Sequence, residues 1–183
     1  MIANYGLSVE TCEQALAAIA RPGTATVQII LNAFRLKPLD EVVPAARVAG
    51  VGIIARVPLA SGLLTGKYSR ETTFAENDHR NYNRDGSAFD VGETFSGVDY
   101  ETGLAAAAEF AALVPEGLTP AQAALAWVAQ IDGVSSVIPG ARSVTQAEGN
   151  ASAGSLPLLP EDLMVGVQSI YDRLLRDDIH PRW

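Results

Sequence analysis

Arg142 stands two residues after Gly140 and one before Ser143, and Ser143-x-x-Gln146 has the spacing of a capping box at a helix start. Before it, Val134, Val137 and Ile138 read as a short buried strand that Pro139-Gly140 breaks. The first N–H groups of a helix lack internal partners and carry the positive end of its dipole, so this junction is furnished to hold an anion. Gly140 lets a ligand approach the main chain, and the Arg142 guanidinium can fork onto a phosphate. The plain alternative is an ordinary strand–turn–helix with a surface arginine.

Two further segments carry comparable chemistry. Gly6-Leu7-Ser8 places a hydroxyl at the end of a first strand. Arg56 to Lys67, RVPLASGLLTGK, is a Gly/Ser-punctuated loop framed by two cations. A dinucleotide is a long anion with two flat rings, needing phosphate donors at one end and a stacking surface with amide partners at the other. Arg142 and the N–H groups near Ser143 meet the first need, with Lys67 and the Leu59–Gly62 backbone over the pyrophosphate. Arg56 meets the second by lying flat on a π-face, and Gln28 by hydrogen-bonding a carboxamide. Taken singly, each has a structural reading beside it. Arg56 pairs with a carboxylate in the mouth of the sheet, Gln28 is a satisfied core amide, and Lys67 is a solvated loop lysine.

The elements that position these groups alternate strand and helix. Tyr5–Val9 reads as a strand, then Thr11 and Gln14 open a helix with Cys12, Ala15, Leu16 and Ile19 on its apolar stripe, ended by Pro22-Gly23. Ala25–Leu31 is a second strand. Asp40 opens a second helix, with Pro44 tolerable in its first turn and Gly50 stopping it. Val51–Val57 is a third strand, apolar on both faces as in a buried parallel sheet. Ser69–Val98 is polar and without period, a length of connection that is usually functional or mobile. Tyr100–Leu113 and Thr119–Gln130 read as helices, the second with Thr119, Pro120 and Gln122 as a full start signal. A closing helix from about Pro160 to Arg176 carries Leu163, Val167, Ile170 and Leu174 on one face and is expected across the outside. Alternating βα units imply a parallel sheet, whose ligand sites lie at the carboxyl ends of its strands.

With 183 residues, 48% of them apolar, the chain is expected to form a single domain. Net charge −8 argues against nucleic acid as a partner, so an anionic ligand must meet a local basic site. No apolar run is long enough to span a bilayer, no basic-then-apolar leader follows Met1, and the single Cys12 fits a reducing cytoplasm. His79 and His180 lie too far apart in sequence to suggest a metal site, and both are expected at the surface.

GLSVET (Gly6–Thr11), VQIILNAF (Val27–Phe34), RVPLASGLLTGKY (Arg56–Tyr68) and IPGARSVTQAEGN (Ile138–Asn150) occur here in an order and spacing that resemble the C-terminal half of an aldo-keto reductase. The resemblance implies an α/β fold of the (β/α)8 TIM-barrel family, this chain covering roughly the last four βα units plus a C-terminal helix. It also implies reduction of aldehydes or ketones to alcohols with NADPH/NADP across the barrel mouth. By resemblance, Ser8 and Gln28 bind the nicotinamide amide, and Arg56 stands where many relatives place an aromatic ring against the nicotinamide. Pro58, Leu59, Ser61 and Lys67 lie along the pyrophosphate. Gly140, Arg142, Gln146 and Asn150 hold the adenosine and its 2′-phosphate, favouring NADPH over NADH. Val9 replaces the asparagine that usually follows the serine, and Gly149 the glutamate that usually precedes the asparagine, each removing one cofactor contact.

The family's catalytic aspartate, tyrosine, lysine and histidine belong to the first half of the barrel, so no residue here takes a catalytic role, and no metal site is expected. Asp78, His79, Tyr82 and Arg84 in the long loop have no motif behind them as a substitute, and that loop is read as shaping the substrate pocket. Half a barrel exposes an apolar interior and two edges, at Tyr5–Val9 and Val134–Ile138. The expected partners are therefore a small carbonyl substrate and either the missing first half or a second copy. The expected activity of the chain alone is nil. A non-catalytic dinucleotide-binding or regulatory subunit of the same fold is the other reading.

Overall fold

Local hydrogen bonds set the clearest helix starts. Thr11 Oγ1 accepts from the Gln14 N–H at 3.1 Å, and Gln14 Oε1 accepts in return from the Thr11 N–H, opening α1 (Cys12–Ile19). Thr119 and Gln122 close the same box ahead of α5 (Pro120–Ala129), where Pro120 sits in the first turn and its missing N–H costs nothing. The computed structural model describes residues 1–183. Its remaining elements are β1 (Tyr5–Ser8), β2 (Thr24–Ile30), α2 (Val42–Ala49), β3 (Gly52–Arg56), α3 (His79–Tyr82), α4 (Tyr100–Leu113), β4 (Val134–Val137), α6 (Val144–Ala153), α7 (Glu161–Ile170) and α8 (Arg176–Ile179). The strands form one parallel sheet in the order β1-β2-β3-β4. No helix is long and apolar enough to cross a membrane.

Alternation along the strands divides the sheet into two faces. Val27, Ile29, Ile53 and Ala55 point into the apolar core, with Ala15, Ala46, Ala123 and Trp127 among the helix residues that share it. The opposite face differs from the apolar interior expected of half a barrel. Ser8, Gln28, Ile54 and Ser136 lie in register across it. One rung below, a side chain at Gly6 would strike Thr26, and one at Gly52 would come within 2.9 Å of Ser135 Oγ. At these two levels the face is small and polar with Ile54 as its apolar member, and Ile30, paired with Arg56 one level above, is buried.

Other expectations are corrected by the packing. The fourth strand is not buried: with β3 as its single neighbour, Ser135 and Ser136 are exposed and Ile138 is half-exposed. Asp40 ends a 3₁₀ turn, Lys37–Leu39, and the helix opens at Val42 behind Glu41, which makes no side-chain cap. The closing helix runs to Ile179 and contains a π-turn at Tyr171–Leu175. Leu163, Val167 and Ile170 are buried as expected and Leu174 packs half-buried against the core, while the π-turn brings Tyr171 and Leu175 fully into the stripe as well. His180 is no free surface residue: its Nε2 lies 2.9 Å from Asp40 Oδ2 and its Nδ1 3.1 Å from the Tyr171 hydroxyl.

Burial pushes the Tyr171 phenol up to about 12, above the ordinary value near 10. Its folded-state pKa is raised, so its contribution is complete below about pH 10 and is lost as pH rises toward 12. Over that window we expect the protein to lose on the order of 2 kcal/mol through this group. Urea unfolding between pH 9 and pH 11.5 checks this: the stability of Tyr171→Phe falls less steeply than that of the parent, and equal slopes contradict the assignment.

Candidate functional site

Because the strands are parallel, Ser8, Arg56 and Ile138 leave the sheet at the same rim. The chain after β3 turns there in a way most residues avoid. Val57, Ala60 and Ser61 have φ of 53°, 47° and 54°, followed by Gly62 at 104° and Gly66 at 69°. A left-handed β-branched residue ahead of a proline is strained, and such conformations persist where neighbours over-determine them. The Val57 carbonyl accepts from Asn32 Nδ2 at 2.9 Å and from the Ala60 N–H at 3.0 Å. Ser61 Oγ donates to the Glu93 carbonyl and accepts from the Phe95 N–H, each at 3.0 Å. Gly62 is required because a side chain there would run into Tyr68.

The long Ser69–Val98 connection is ordered as a wall of the same rim. Tyr68, Phe74, Phe95 and Tyr100 pack ring against ring, and the Arg80 and Arg84 guanidinium groups lie over Phe74 and Tyr100, each 4.8 Å from the ring centre. Arg80 Nε and Nη2 grip the two Asp78 oxygens at 2.8 and 2.5 Å, and Nη1 bonds the Tyr68 hydroxyl. The Arg80 contact holds the Asp78 carboxyl far below the usual carboxylate range. His79 faces Thr94, with Nδ1 3.4 Å from its hydroxyl.

Arg56 is 7% exposed and lies between two carboxylates: Nη2 is 2.8 Å from Glu10 Oε1 and 3.0 Å from the Val9 carbonyl, and Nη1 bonds Glu93. Arg35 is buried behind it. Its Nη2 donates to the Glu10 carbonyl at 2.7 Å and its plane sits 4.1 Å from the Trp183 ring, whose Nε1 donates to Asp90. Burial lowers the Arg35 guanidinium to about 10.

After β4, Ser143 Oγ accepts from the Gln146 N–H at 3.2 Å, opening α6. The box is not closed as the spacing suggested. Gln146 Oε1 reaches one residue further back, to the Arg142 N–H at 2.7 Å, and Asn150 Nδ2 donates to the Gly140 carbonyl at 3.1 Å. Both amides therefore brace the Gly140–Arg142 turn. The Val144 and Thr145 N–H groups keep no acceptor within the protein.

These walls enclose an open cleft of about 1220 Å³. Pro58, Leu59, Ser61, Lys67, Gly140, Arg142, Gln146 and Asn150 all line it, opposite His79, Arg80, Tyr82 and Phe89. Ser8, Gln28 and Arg56 do not. Gln28 Nε2 donates to Ser8 Oγ at 3.1 Å on the polar face of the sheet, and Arg56 stands behind its two carboxylates, which themselves line the cleft. Arg56 thus has the carboxylate-paired environment, with its two Nη groups engaged. The sequence reading passed over Asn32, Ser96, Glu10 and Glu93. The available signal was Asn32, an amide between Leu31 and Ala33 at the end of a buried strand, where a polar side chain must have a partner. No cluster of metal-ligating side chains is present.

The sequence pattern described as Aldo/keto reductase family matches residues 1–172. This chain belongs to the aldo/keto reductase family. An uncharacterised oxidoreductase of Mycobacterium bovis is 33% identical over 158 residues, 86% of this chain and 44% of that protein. A probable voltage-gated potassium channel subunit beta of Arabidopsis thaliana is 32% identical over 74% of this chain and 40% of its own length. Among solved structures, a glycerol dehydrogenase from Gluconobacter oxydans superposes with a TM-score of 0.74 at 27% identity, covering 98% of this chain and 52% of that one. The holo form of an aldo-keto reductase from Bacillus halodurans, 18% identical, shares the fold with a TM-score of 0.68 over 97% of this chain and 53% of its own. The chain thus spans about half the length of the relatives it matches, and its four βα units belong to the (β/α)8-barrel fold of this family.

Removing Arg56 from between Glu10 and Glu93 leaves two carboxylates facing each other without their buried cation. For Arg56→Ala we expect a loss of about 3 kcal/mol in urea unfolding, against no more than about 0.5 kcal/mol for Lys67→Ala on the exposed rim. Equal, small losses contradict the bracing role of Arg56.

Proposed function

We propose that this chain is the cofactor-binding half of an NADPH-dependent oxidoreductase acting on aldehydes or ketones. The observation that carries the reading is the cleft itself: Lys67 and Arg142, neither engaged in an ion pair, line one continuous groove, and the free N–H groups at the start of α6 stand between its lining residues Arg142 and Gln146 in the chain. Cations and uncommitted backbone donors suit the pyrophosphate and 2′-phosphate of a dinucleotide, and the absence of a side chain at Gly140 leaves the main chain approachable. The donor set therefore fits the cofactor that the family implies.

When bound, the nicotinamide supplies a hydride to a carbonyl carbon. In this reading the chain's own residues bind and orient. Leu59, Ser61 and Lys67 hold the pyrophosphate, and Arg142 holds the 2′-phosphate on a turn that Gln146 and Asn150 keep in shape. Ser8 and Gln28, joined to each other on the polar face of the sheet outside the cleft, would meet the carboxamide where the nicotinamide end extends beyond the groove over that face. Proton donation falls to residues outside these 183, so we infer that the chain alone binds without turnover and that its partner is the first half of the barrel. A detectable rate with common aldehydes, in a preparation free of host reductases, overturns that inference. The relative named as a channel subunit supports a second reading, a dinucleotide-binding regulatory subunit. Turnover once the first half is supplied separates the two.

Cofactor choice gives the direct test of the site. Arg142→Ala should weaken NADPH by about 1.5–3 kcal/mol, the worth of one charge-assisted contact, and leave NADH nearly unchanged in a fluorescence titration. Equal losses for both dinucleotides remove Arg142 from the 2′-phosphate.

A further inference from the structure

We propose that Asn32 is a positioning residue for the cofactor loop: its carboxamide ties the left-handed Val57 to the left-handed Ser96 and so holds the loop and the wall of the cleft in one arrangement. The inference rests on the reading above, in which the segment from Leu59 to Lys67 carries the pyrophosphate.

Asn32 is fully buried. Its Oδ1 accepts from the Phe34 N–H at 2.9 Å, an Asx-type contact two residues on, and its Nδ2 donates to the Val57 carbonyl at 2.9 Å and to Ser96 Oγ at 2.7 Å. The partners fix the orientation of the amide, because a backbone N–H can only donate and a backbone carbonyl can only accept. Aspartate at this position sets an oxygen against the Val57 carbonyl, leucine leaves both buried partners unpaired, and glutamine is one methylene too long. Asparagine alone meets the three contacts.

What the contacts hold is strained. Val57 is β-branched, precedes Pro58 and has φ 53°, while Phe95 and Ser96 have φ 53° and 60°. Each such residue costs on the order of 1–3 kcal/mol and needs external restraint. Pro58 has no N–H to offer, so the Val57 carbonyl fixes the turn through the two donors it accepts, Asn32 Nδ2 and the Ala60 N–H. Ser61 fastens the other side of the same seam, to Glu93 and Phe95. Asn32 acts from beneath and does not line the cleft.

The test measures amide hydrogen exchange together with NADPH and NADH titrations for the parent, Asn32→Ala, Asn32→Ala with Val57→Gly, and Ser96→Ala. Glycine adopts positive φ without strain, so Val57→Gly removes the need for a clamp. The inference requires exchange in residues 57–66 and 94–98 of Asn32→Ala to rise about tenfold, the loss of one buried hydrogen bond to each segment, with amides 27–30 of β2 unchanged. Both dinucleotides then weaken by a similar factor, unlike the selective effect at Arg142, and Val57→Gly restores most of the loss. If Asn32→Ala does not fold, Ser96→Ala must show the same local pattern in milder form. Unchanged exchange, or exchange raised equally through β2 with no recovery from Val57→Gly, overturns the inference. If the parent binds neither dinucleotide, the cofactor reading and the role toward the cofactor both fall, and the exchange data still decide whether Asn32 holds the loop.

Discussion

Parallel pairing of four strands is the constraint from which the cleft follows. Each strand must be reached by a crossover from the opposite end, so the turns after β1, β3 and β4 all leave at one rim. Residues as far apart in the chain as Glu10 and Asn150 are thereby brought to one opening. The long connection before α4 then has one place to go. Its aromatic cluster packs on the loop after β3, and its polar groups become the facing wall.

At that rim the cations divide by burial. Arg56 and Arg80 are largely shielded and are matched by carboxylates, whereas Arg35, buried without an ion pair, rests on the Trp183 ring and the Glu10 carbonyl. Lys67 and Arg142 are exposed and unpaired, which water permits. In a chain of net charge −8, these two unpaired cations lie together on one groove where an anion can use them, while Arg56 and Arg80 stiffen its walls.

Much of this was legible in the sequence where the signal is local. Thr11-x-x-Gln14 and Thr119-Pro120-x-Gln122 specify their helix starts by bonds within four residues, and Gly50, at φ 67°, ends α2 for the reason glycine usually does. The strand-end motifs located most of the cleft lining because parallel topology follows from βα alternation. Features that depend on long-range packing were hidden. The π-turn at Tyr171 serves tertiary contacts that helical periodicity does not encode, so the burial of Tyr171 and Leu175 beside Leu174 was not legible. The polar inner face escaped notice because VGIIARV reads as apolar throughout, although its Gly52, Ile54 and Arg56 meet Thr26, Gln28 and the Glu10 carboxylate. Arg56 itself had both environments open to it until Glu93, 37 positions away, was seen beside it.

The central claim is that the loop after β3 and the turn after β4 grip one extended dinucleotide together. Chemical-shift mapping of the isotopically labelled chain during an NADPH titration tests it directly. The account predicts that the amides of Leu59–Lys67 and those of Gly140–Gln146 shift along a single saturation curve at one equivalent of ligand. Shifts confined to one of the two segments, or curves with different midpoints, contradict it.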